Sequence, residues 1–377
     1  MERVRDYLVT QIKALRSPSI NAQIIQQQKF LRYRDLYAFL QRHHEKLAEE
    51  IGQAYLNTMR WYFLNKFSLY EKSLEKLKLH VLDRNDALGQ DDGSRKANIL
   101  GSKSGPPHDA FGLGRRIDIL KNSSQAAIST YLAEEDKTTH YLEFPFRNFN
   151  VALIDNASAE YFFLTAFFSP SLPLSTISRH FNYIFEPTFA LGLSLTRSLV
   201  SEAADCLGIL LCVRINQHFA FELQRRRIPA VDGYVNGTRM LLWPRFQVIM
   251  DLHCESIRRA TSLLSSQPPP KAEQAKQSAA PHFLTQRFGQ LLQGIITLSA
   301  EAGDDEPLST SLVRLRGETE AFLTKLSKGI MDSRKRQRFL YNNYSLILTI
   351  VGDLDGRLAT EQKEHFEVLK RALSDNA

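Results

Sequence analysis

Cysteine is scarce in this chain of 377 residues, where Cys206, Cys212 and Cys254 are the whole complement. An odd number without a CxxC pair excludes a disulfide framework and a zinc knuckle, and predicts buried thiols in a reducing compartment. Long uninterrupted apolar runs are also missing, since none reaches the roughly 18 to 20 residues that a bilayer-spanning helix needs. The opening MERVRDYLVTQIKAL is amphipathic rather than a signal peptide, so the expected location is the cytosol. Nucleotide-binding and hydrolase signatures are lacking too. There is no Walker loop, GxSxG elbow or HExxH pair, and the GLG of AFGLGRR is a lone GxG without a third glycine or a preceding strand. Strand-length alternation between turn signals is wanting throughout, which points to an all-α class.

What the sequence does contain is ordinary globular material, 43% hydrophobic and 24% charged, in a length that suggests two or three structural units. Against 41 acidic side chains stand 48 basic ones, and the net charge of +7 permits an anionic partner. The densest basic runs are Arg225-Arg226-Arg227 and Arg334-Lys335-Arg336-Gln337-Arg338. Each reads either as a solvated helix end favoured by the macrodipole or as a contact for an acidic partner or an anionic membrane.

Periodicity divides the chain into five segments. Residues 1–82 read as helix, broken near Ser17-Pro18 and near His43-His44. The longest helix is expected from Glu45 to Leu82, with Leu56, Met59, Tyr62, Phe63, Phe67, Tyr70, Leu74 and Leu77 at steps of three or four. Residues 83–135, rich in glycine and polar side chains and holding Pro106-Pro107, are expected to be a mostly flexible insertion. Its far end, GRRIDILKN, has the apolar residues to dock back as helix or strand. Residues 136–264 form a central helical bundle in which Asn156 or Ser158 is placed to cap, Pro187 should kink or break a helix near Phe185, and IPAVDGYVNG turns the chain. A proline-rich linker follows at 265–280, and residues 281–377 make a C-terminal bundle split near Gly303 and Pro307, near Ser333 and near Gly352 to Gly356.

One stretch, MDLHCESIRR at 250–259, crowds Asp251, His253, Cys254 and Glu255 together and raises the alternative of an enzyme using His253 and Cys254. Wound as a helix at about 100° per residue, however, these side chains disperse. His253 joins Phe246, Ile249, Met250, Ile257, Ala260 and Leu264 in one apolar stripe, Cys254 lies toward its edge, and Glu255 turns outward toward Arg258 or Arg259. A buried histidine is the expectation. His43, His44 and Glu45 lack the spacing that puts two metal ligands on one helix face, and Trp61 and Trp243 fall among apolar stripes, where core packing is expected. No catalytic, cofactor or metal residue is therefore predicted. A basic nucleic-acid-binding protein is a further alternative, but no reading module accompanies the charge.

Longer segments carry a resemblance. FPFRNFNVALIDNASAEYFFLTAFF, DCLGILLCVRINQHFAFELQRRRIPAVDGYVNG and LLWPRFQVIMDLHCESI resemble signature stretches of the vacuolar protein sorting-associated protein 52 family, supported by RDLYAFLQRHHEKLAEEIGQAYLNTMRWYFLNKF, GRRIDILKN and YLAEEDK. The resemblance covers nearly the whole chain. It implies a non-enzymatic subunit, without cofactors, of the Golgi-associated retrograde protein (GARP) complex, which tethers endosome-derived vesicles at the trans-Golgi network. It also implies an elongated rod of stacked helical bundles, as in other multisubunit (CATCHR) tethers. The implied partners are sister subunits, a Golgi Rab GTPase in its GTP state and SNARE proteins, with peripheral membrane association and no specific nucleic acid. Members of the family carry an N-terminal coiled coil, whose heptads are not evident here, so this chain is expected to begin after it.

Overall fold

A computed structural model describes residues 2–17, 21–90, 110–122, 125–264, 278–300 and 307–374. The fold is all-α. In chain order the helices are α1 (Glu2–Ala14), α2 (Ala22–Ile25), α3 (Arg34–His43), α4 (Glu45–Leu74), α5 (Asp118–Lys121), α6 (Thr130–Glu135), α7 (Glu143–Phe168), α8 (Leu174–Ser201), α9 (Cys206–Arg226), α10 (Asp232–Leu263), α11 (Phe283–Ser299), α12 (Leu308–Lys328), α13 (Ser333–Val351) and α14 (Arg357–Ser374). Sheet among the described residues is confined to a parallel pairing of β1 (Lys78–Leu79) with β2 (Thr139–His140).

Two compact units emerge, and neither is a continuous stretch of chain. The first draws on Met1–His80, Ser124–Ser201 and Ile215–Leu241, the second on Val81–Ser123, Glu202–Arg214 and Leu242–Ala377. The division thus falls inside α9 and α10 rather than at the segment boundaries that periodicity suggests. Composition marks where a chain turns, whereas long-range packing decides what it turns back onto.

In the first unit α4 buries Leu56, Met59, Phe63, Phe67 and Tyr70, the stripe expected of it. It ends at Leu74, eight residues short of the expected Leu82. Lys76 and Leu77 close tight turns onto Ser73 and Leu74, and the chain straightens into β1, where the His80 N–H donates to the His140 carbonyl at 2.7 Å. Trp61 is half exposed, on the outer face with Asn65 and Leu69, which corrects its expected place in the core. Aromatic rings fill the interior: Phe185 stacks on Phe181 at 4.8 Å and on Phe189 at 5.4 Å, and Phe63 meets Phe185 at 4.5 Å.

Pro187 does not break α8, which runs unbroken from Leu174 to Ser201. A proline leaves the carbonyl four residues back without its amide donor. Here that carbonyl belongs to Tyr183, and the Arg60 guanidinium of α4 donates to it while pairing with Glu186 at 3.0 Å and lying 4.7 Å over the Tyr183 ring. The missing hydrogen bond is supplied from another helix. Asn156 and Ser158 likewise sit inside α7 rather than at its start, and the Asn156 amide donates to Ala152 O at 2.8 Å. The helix begins earlier, with Pro145 in its first turn, where a proline costs no hydrogen bond.

A polar node lies deep in this unit. Glu160 is only 1% exposed and accepts from the Tyr55 hydroxyl at 2.7 Å and from the Gln26 amide at 2.6 Å, with no cation at the node. It joins α7 and α4 to the π-helical turn Gln26–Phe30 that follows α2.

The second unit absorbs much of the segment expected to be mobile. Ala87, Leu88, Ala110 and Phe111 are buried, and the Gly89 N–H donates to Ser256 Oγ at 3.0 Å. Gly89 sits so close to the Ser256 carbonyl that a Cβ has no room. GRRIDILKN is helical, a 3-10 turn at Gly114–Ile117 running into α5. In the first unit, residues 125–135 include α6 with Ala133 buried. The flexible insertion predicted over 83–135 is therefore corrected for 83–90, 110–122 and 125–135. Its remainder, 91–109 and 123–124, lies outside the described residues, as does 265–277 of the predicted linker.

The expectation that no stretch is long and apolar enough to cross a membrane also needs correction, because α9 qualifies by length and composition. Most of it is buried within the protein, where Arg214 donates to Leu298 O at 2.6 Å, as suits a core helix. Farther on, α13 and α14 pack antiparallel, with Tyr344 against Phe366 at 5.9 Å and Lys370 over the Tyr341 ring at 5.6 Å.

Burial raises the pKa of Glu160 from 4.5 to about 7, against the opposing hydrogen bonds from Tyr55 and Gln26. The folded state then holds the proton more tightly than the unfolded chain. Its contribution to stability is full below about pH 4.5, falls as pH rises toward about 7, and is level beyond. Glu160→Gln mimics the protonated acid, so it should match the wild type near the acidic limit and exceed it above neutrality by up to ~3 kcal/mol in urea unfolding. An unchanged difference across that pH range would refute this role of Glu160.

Candidate partner surface

The α10 helix carries the residues that looked most like chemistry. His253 is buried, and its Nδ1 accepts from the Leu88 N–H at 3.3 Å, which leaves the proton of the neutral ring on Nε2. Burial lowers its pKa to about 4, against the pull of the Asp205 charge. The ring is therefore neutral near pH 7 and its basic nitrogen is already engaged. Cys254 is buried as well, and burial pushes its thiol up to about 11. The neighbouring charges leave in other directions: Glu255 pairs with Arg259 at 2.6 Å, Asp251 with Arg314 at 2.8 Å, and Arg258 with Glu318. All three cysteines are buried free thiols. Among the described residues no group of three or more His, Cys, Asp or Glu side chains is placed to hold a metal ion.

The two basic runs part company once their partners are visible. Arg225 to Arg227 close α9 in the first unit. Arg225 pairs with Glu222 at 2.7 Å, holding that carboxyl below its ordinary range, and Arg226 reaches Asp155 at 3.0 Å and Ser158 Oγ at 3.3 Å. Arg227 has φ +59, the left-handed conformation. Its N–H donates to Gln224 O and the next N–H, of Ile228, to Leu223 O, both at 3.0 Å, which is a Schellman cap. A non-glycine residue costs about 1 kcal/mol there. These arginines end a helix with the favourable sign of charge and are largely spent on it.

Arg334 to Arg338 stand at the opposite pole of their helix. Asp332 caps α13, its Oδ1 accepting from the Arg334 N–H at 2.9 Å and the Lys335 N–H at 3.3 Å, so the run occupies the first turns. The expectation of a helix end favoured by the macrodipole is thus reversed, because cations at an N-terminus are repelled by it. Arg336 folds back to donate twice to Ile330 O, at 2.9 and 3.2 Å. The side chains of Arg334, Lys335 and Arg338 are exposed and have no hydrogen-bond or ion-pair partner among the described residues. The two runs look alike in the sequence. The aspartate two residues before the second, a strong N-cap, is the signal that tells them apart. Met331, which periodicity does not single out, is 58% exposed beside the cap.

Comparison with known proteins follows this geometry. A protein-family model described as Vps52, C-terminal, matches residues 57–376, and one described as Vps52/Sac2 family, coiled-coil, matches residues 1–40. The chain is 32% identical over its whole length to vacuolar protein sorting-associated protein 52 of Schizosaccharomyces pombe, of which it covers 72%. It is 31% identical, over 91% of its length, to the protein of that name in Saccharomyces cerevisiae, covering 58% of it. To the Homo sapiens homolog it is 26% identical over 96% of its length, covering 48%. The match at 1–40 overturns the expectation that the chain begins after the coiled-coil region. Leu8, Ile12 and Leu15 keep a four-three step with all three buried, too short a run to read as heptads.

Two outcomes follow from the site. Cys254 should stay unmodified by a thiol reagent in the native protein and react only on unfolding, and native-state labelling at the rate of a free thiol would revive the nucleophile. Lys335→Glu replaces a repelled charge by a favoured one in the first turn of α13, so it should raise stability by about 1 kcal/mol in urea unfolding. A loss of similar size would show that Lys335 has a stabilising partner.

Proposed function

Because the chain belongs to the Vps52 family, we propose that it serves as a non-enzymatic subunit of a vesicle-tethering complex, the Golgi-associated retrograde protein complex, in transport from endosomes to the trans-Golgi network. The family match across 57–376 is the observation that carries the reading. The relatives bear a name for vacuolar protein sorting, and the proposal extends that role to this chain. Its helices suit a scaffold, since α4 alone, with 30 residues, is a strut of about 45 Å. On this reading the chain works in the cytosol and associates peripherally with trans-Golgi and endosomal membranes. Its partners are sister subunits, SNARE proteins and a Golgi Rab GTPase in the GTP state. Of the two basic runs, Arg334 to Arg338 is the one with more charge left over for an anionic surface.

A pull-down with the sister subunits and a panel of Golgi and endosomal Rab GTPases, each loaded with a GTP analogue or GDP, tests the proposal. Capture of the sister subunits, and retention of at least one Rab about tenfold better in the GTP form, a difference of about 1.4 kcal/mol, is expected. Capture of none of them would remove the tethering role.

A further inference from the structure

We infer that the corner between α12 and α13 is a membrane foot that docks on an anionic bilayer, with Met331 entering among the lipid headgroups and Lys328, Arg334, Lys335 and Arg338 meeting their phosphates and carboxylates. The inference rests on the reading of Arg334 to Arg338 as the anion-facing surface and adds its occupant and its apolar tip.

Charge gives the first argument. From Lys325 to Arg338 the sequence KLSKGIMDSRKRQR holds six cations and a single acid, Asp332. Two of the cations are committed, Lys325 to Thr261 O at 2.8 Å and Arg336 to Ile330 O. The side chains of Lys328, Arg334, Lys335 and Arg338 are exposed with no hydrogen-bond or ion-pair partner among the described residues. The Asp332 carboxylate is occupied as the cap of α13. Three of the free cations lie in the first two turns of α13, where the helix dipole opposes them, so this charge is carried against local stability.

The apolar tip gives the second. Met331, 58% exposed, stands between Lys328 and Arg334 in the chain, while the neighbouring Ile330 is buried and anchors the turn. The corner is braced by Ile330 N–H to Ser327 O at 2.9 Å, by the double donation from Arg336 and by the Asp332 cap, so Met331 is held out by fixed backbone. Nearby, the antiparallel register set by Lys370 over Tyr341 brings exposed Arg371 toward the same end of the α13 and α14 pair. An acidic protein surface satisfies the cations but needs a matching apolar pocket for the tip between them. A bilayer takes both, cations at the headgroup level and an unbranched apolar side chain below.

Co-sedimentation of the 377-residue chain with phosphatidylcholine vesicles, with and without phosphatidylserine, tests this at low and high salt. Binding should require phosphatidylserine and weaken with salt. The triple variant Arg334→Glu, Lys335→Glu, Arg338→Glu should lose binding by roughly tenfold or more. Met331→Asp should lose several-fold, while Met331→Trp should keep binding and show blue-shifted emission quenched by brominated acyl chains. Circular dichroism of each variant checks that it is folded. Equal binding by the charge-reversed variant overturns the surface and the foot together. Charge-dependent binding with no effect of Met331→Asp and no quenching overturns the inserted tip alone. Failure to bind vesicles, with charge-dependent capture of an acidic peptide or a nucleic acid, assigns the surface to that partner and overturns the foot.

Discussion

Asp205 is a carboxylate taken almost wholly out of water, and the second unit is arranged around keeping it satisfied. Arg116 grips it with both guanidinium nitrogens, at 2.6 and 3.2 Å, and the Gly208 N–H donates to it at 2.8 Å as α9 begins. The two side chains are 7% and 1% exposed. Desolvating such ions costs several kcal/mol each, and only a fully bonded pair offsets it; removal of one partner from a buried pair costs ~3–5 kcal/mol. The constraint reaches beyond the pair. It fixes residues 110–122 at the start of α9, and Gly208 has to be glycine because a Cβ there meets both Asp205 and Arg116. Leu88 and Gly89 are moored by the neutral ring of His253 and by Ser256 on α10. The histidine that the sequence predicts to be buried is an acceptor for a backbone amide.

The first unit solves a similar problem without a cation. Glu160 is matched by a hydroxyl and an amide instead of an arginine, so its charge is expensive and its protonated form is favoured. In both units a buried carboxylate clips together segments far apart in the chain, 89 residues for Arg116 and Asp205 and 134 for Gln26 and Glu160. The apolar stripes supply most of the driving force and little discrimination among registers. These polar nodes are satisfied in one alignment, and that selects it.

Legibility in the sequence followed the range of the interaction. The all-α class, the inward face of α4 from Leu56 to Tyr70 and the pairing of Glu255 with Arg259 rest on periodicity or on neighbours four residues apart, and all were readable. Pro187 was misread because its remedy comes from Arg60, 123 residues away from the carbonyl it satisfies. The docking of 83–90 and 110–122 was missed for the same reason: a polar, glycine-containing stretch looks mobile until its partners on α9, α10 and α11 are known. Gln90 O, for example, is held by Arg287 at 2.7 Å. At the candidate surface the sequence shows the basic run itself but not the direction of the helix under it. Asp332 was in view throughout, and its capping role makes the difference between a cation cluster favoured by its helix and one opposed by it.

The interleaving of the two units has a bearing on how the chain is made. The first unit draws on residues as far as Leu241, so its α4 and α7 leave the ribosome well before the last of their neighbours. The segment from Val81 to Ser123 waits longer, since the unit it belongs to draws on Leu242–Ala377. Arg116 therefore spends much of translation as a solvated side chain awaiting its unit, whereas the first unit has all its segments once Leu241 has emerged and can fold before the second is finished. Nascent chains of it expose the apolar faces of α4, α7 and α8 while they wait, which makes chaperone occupancy during synthesis part of the cost of a discontinuous architecture.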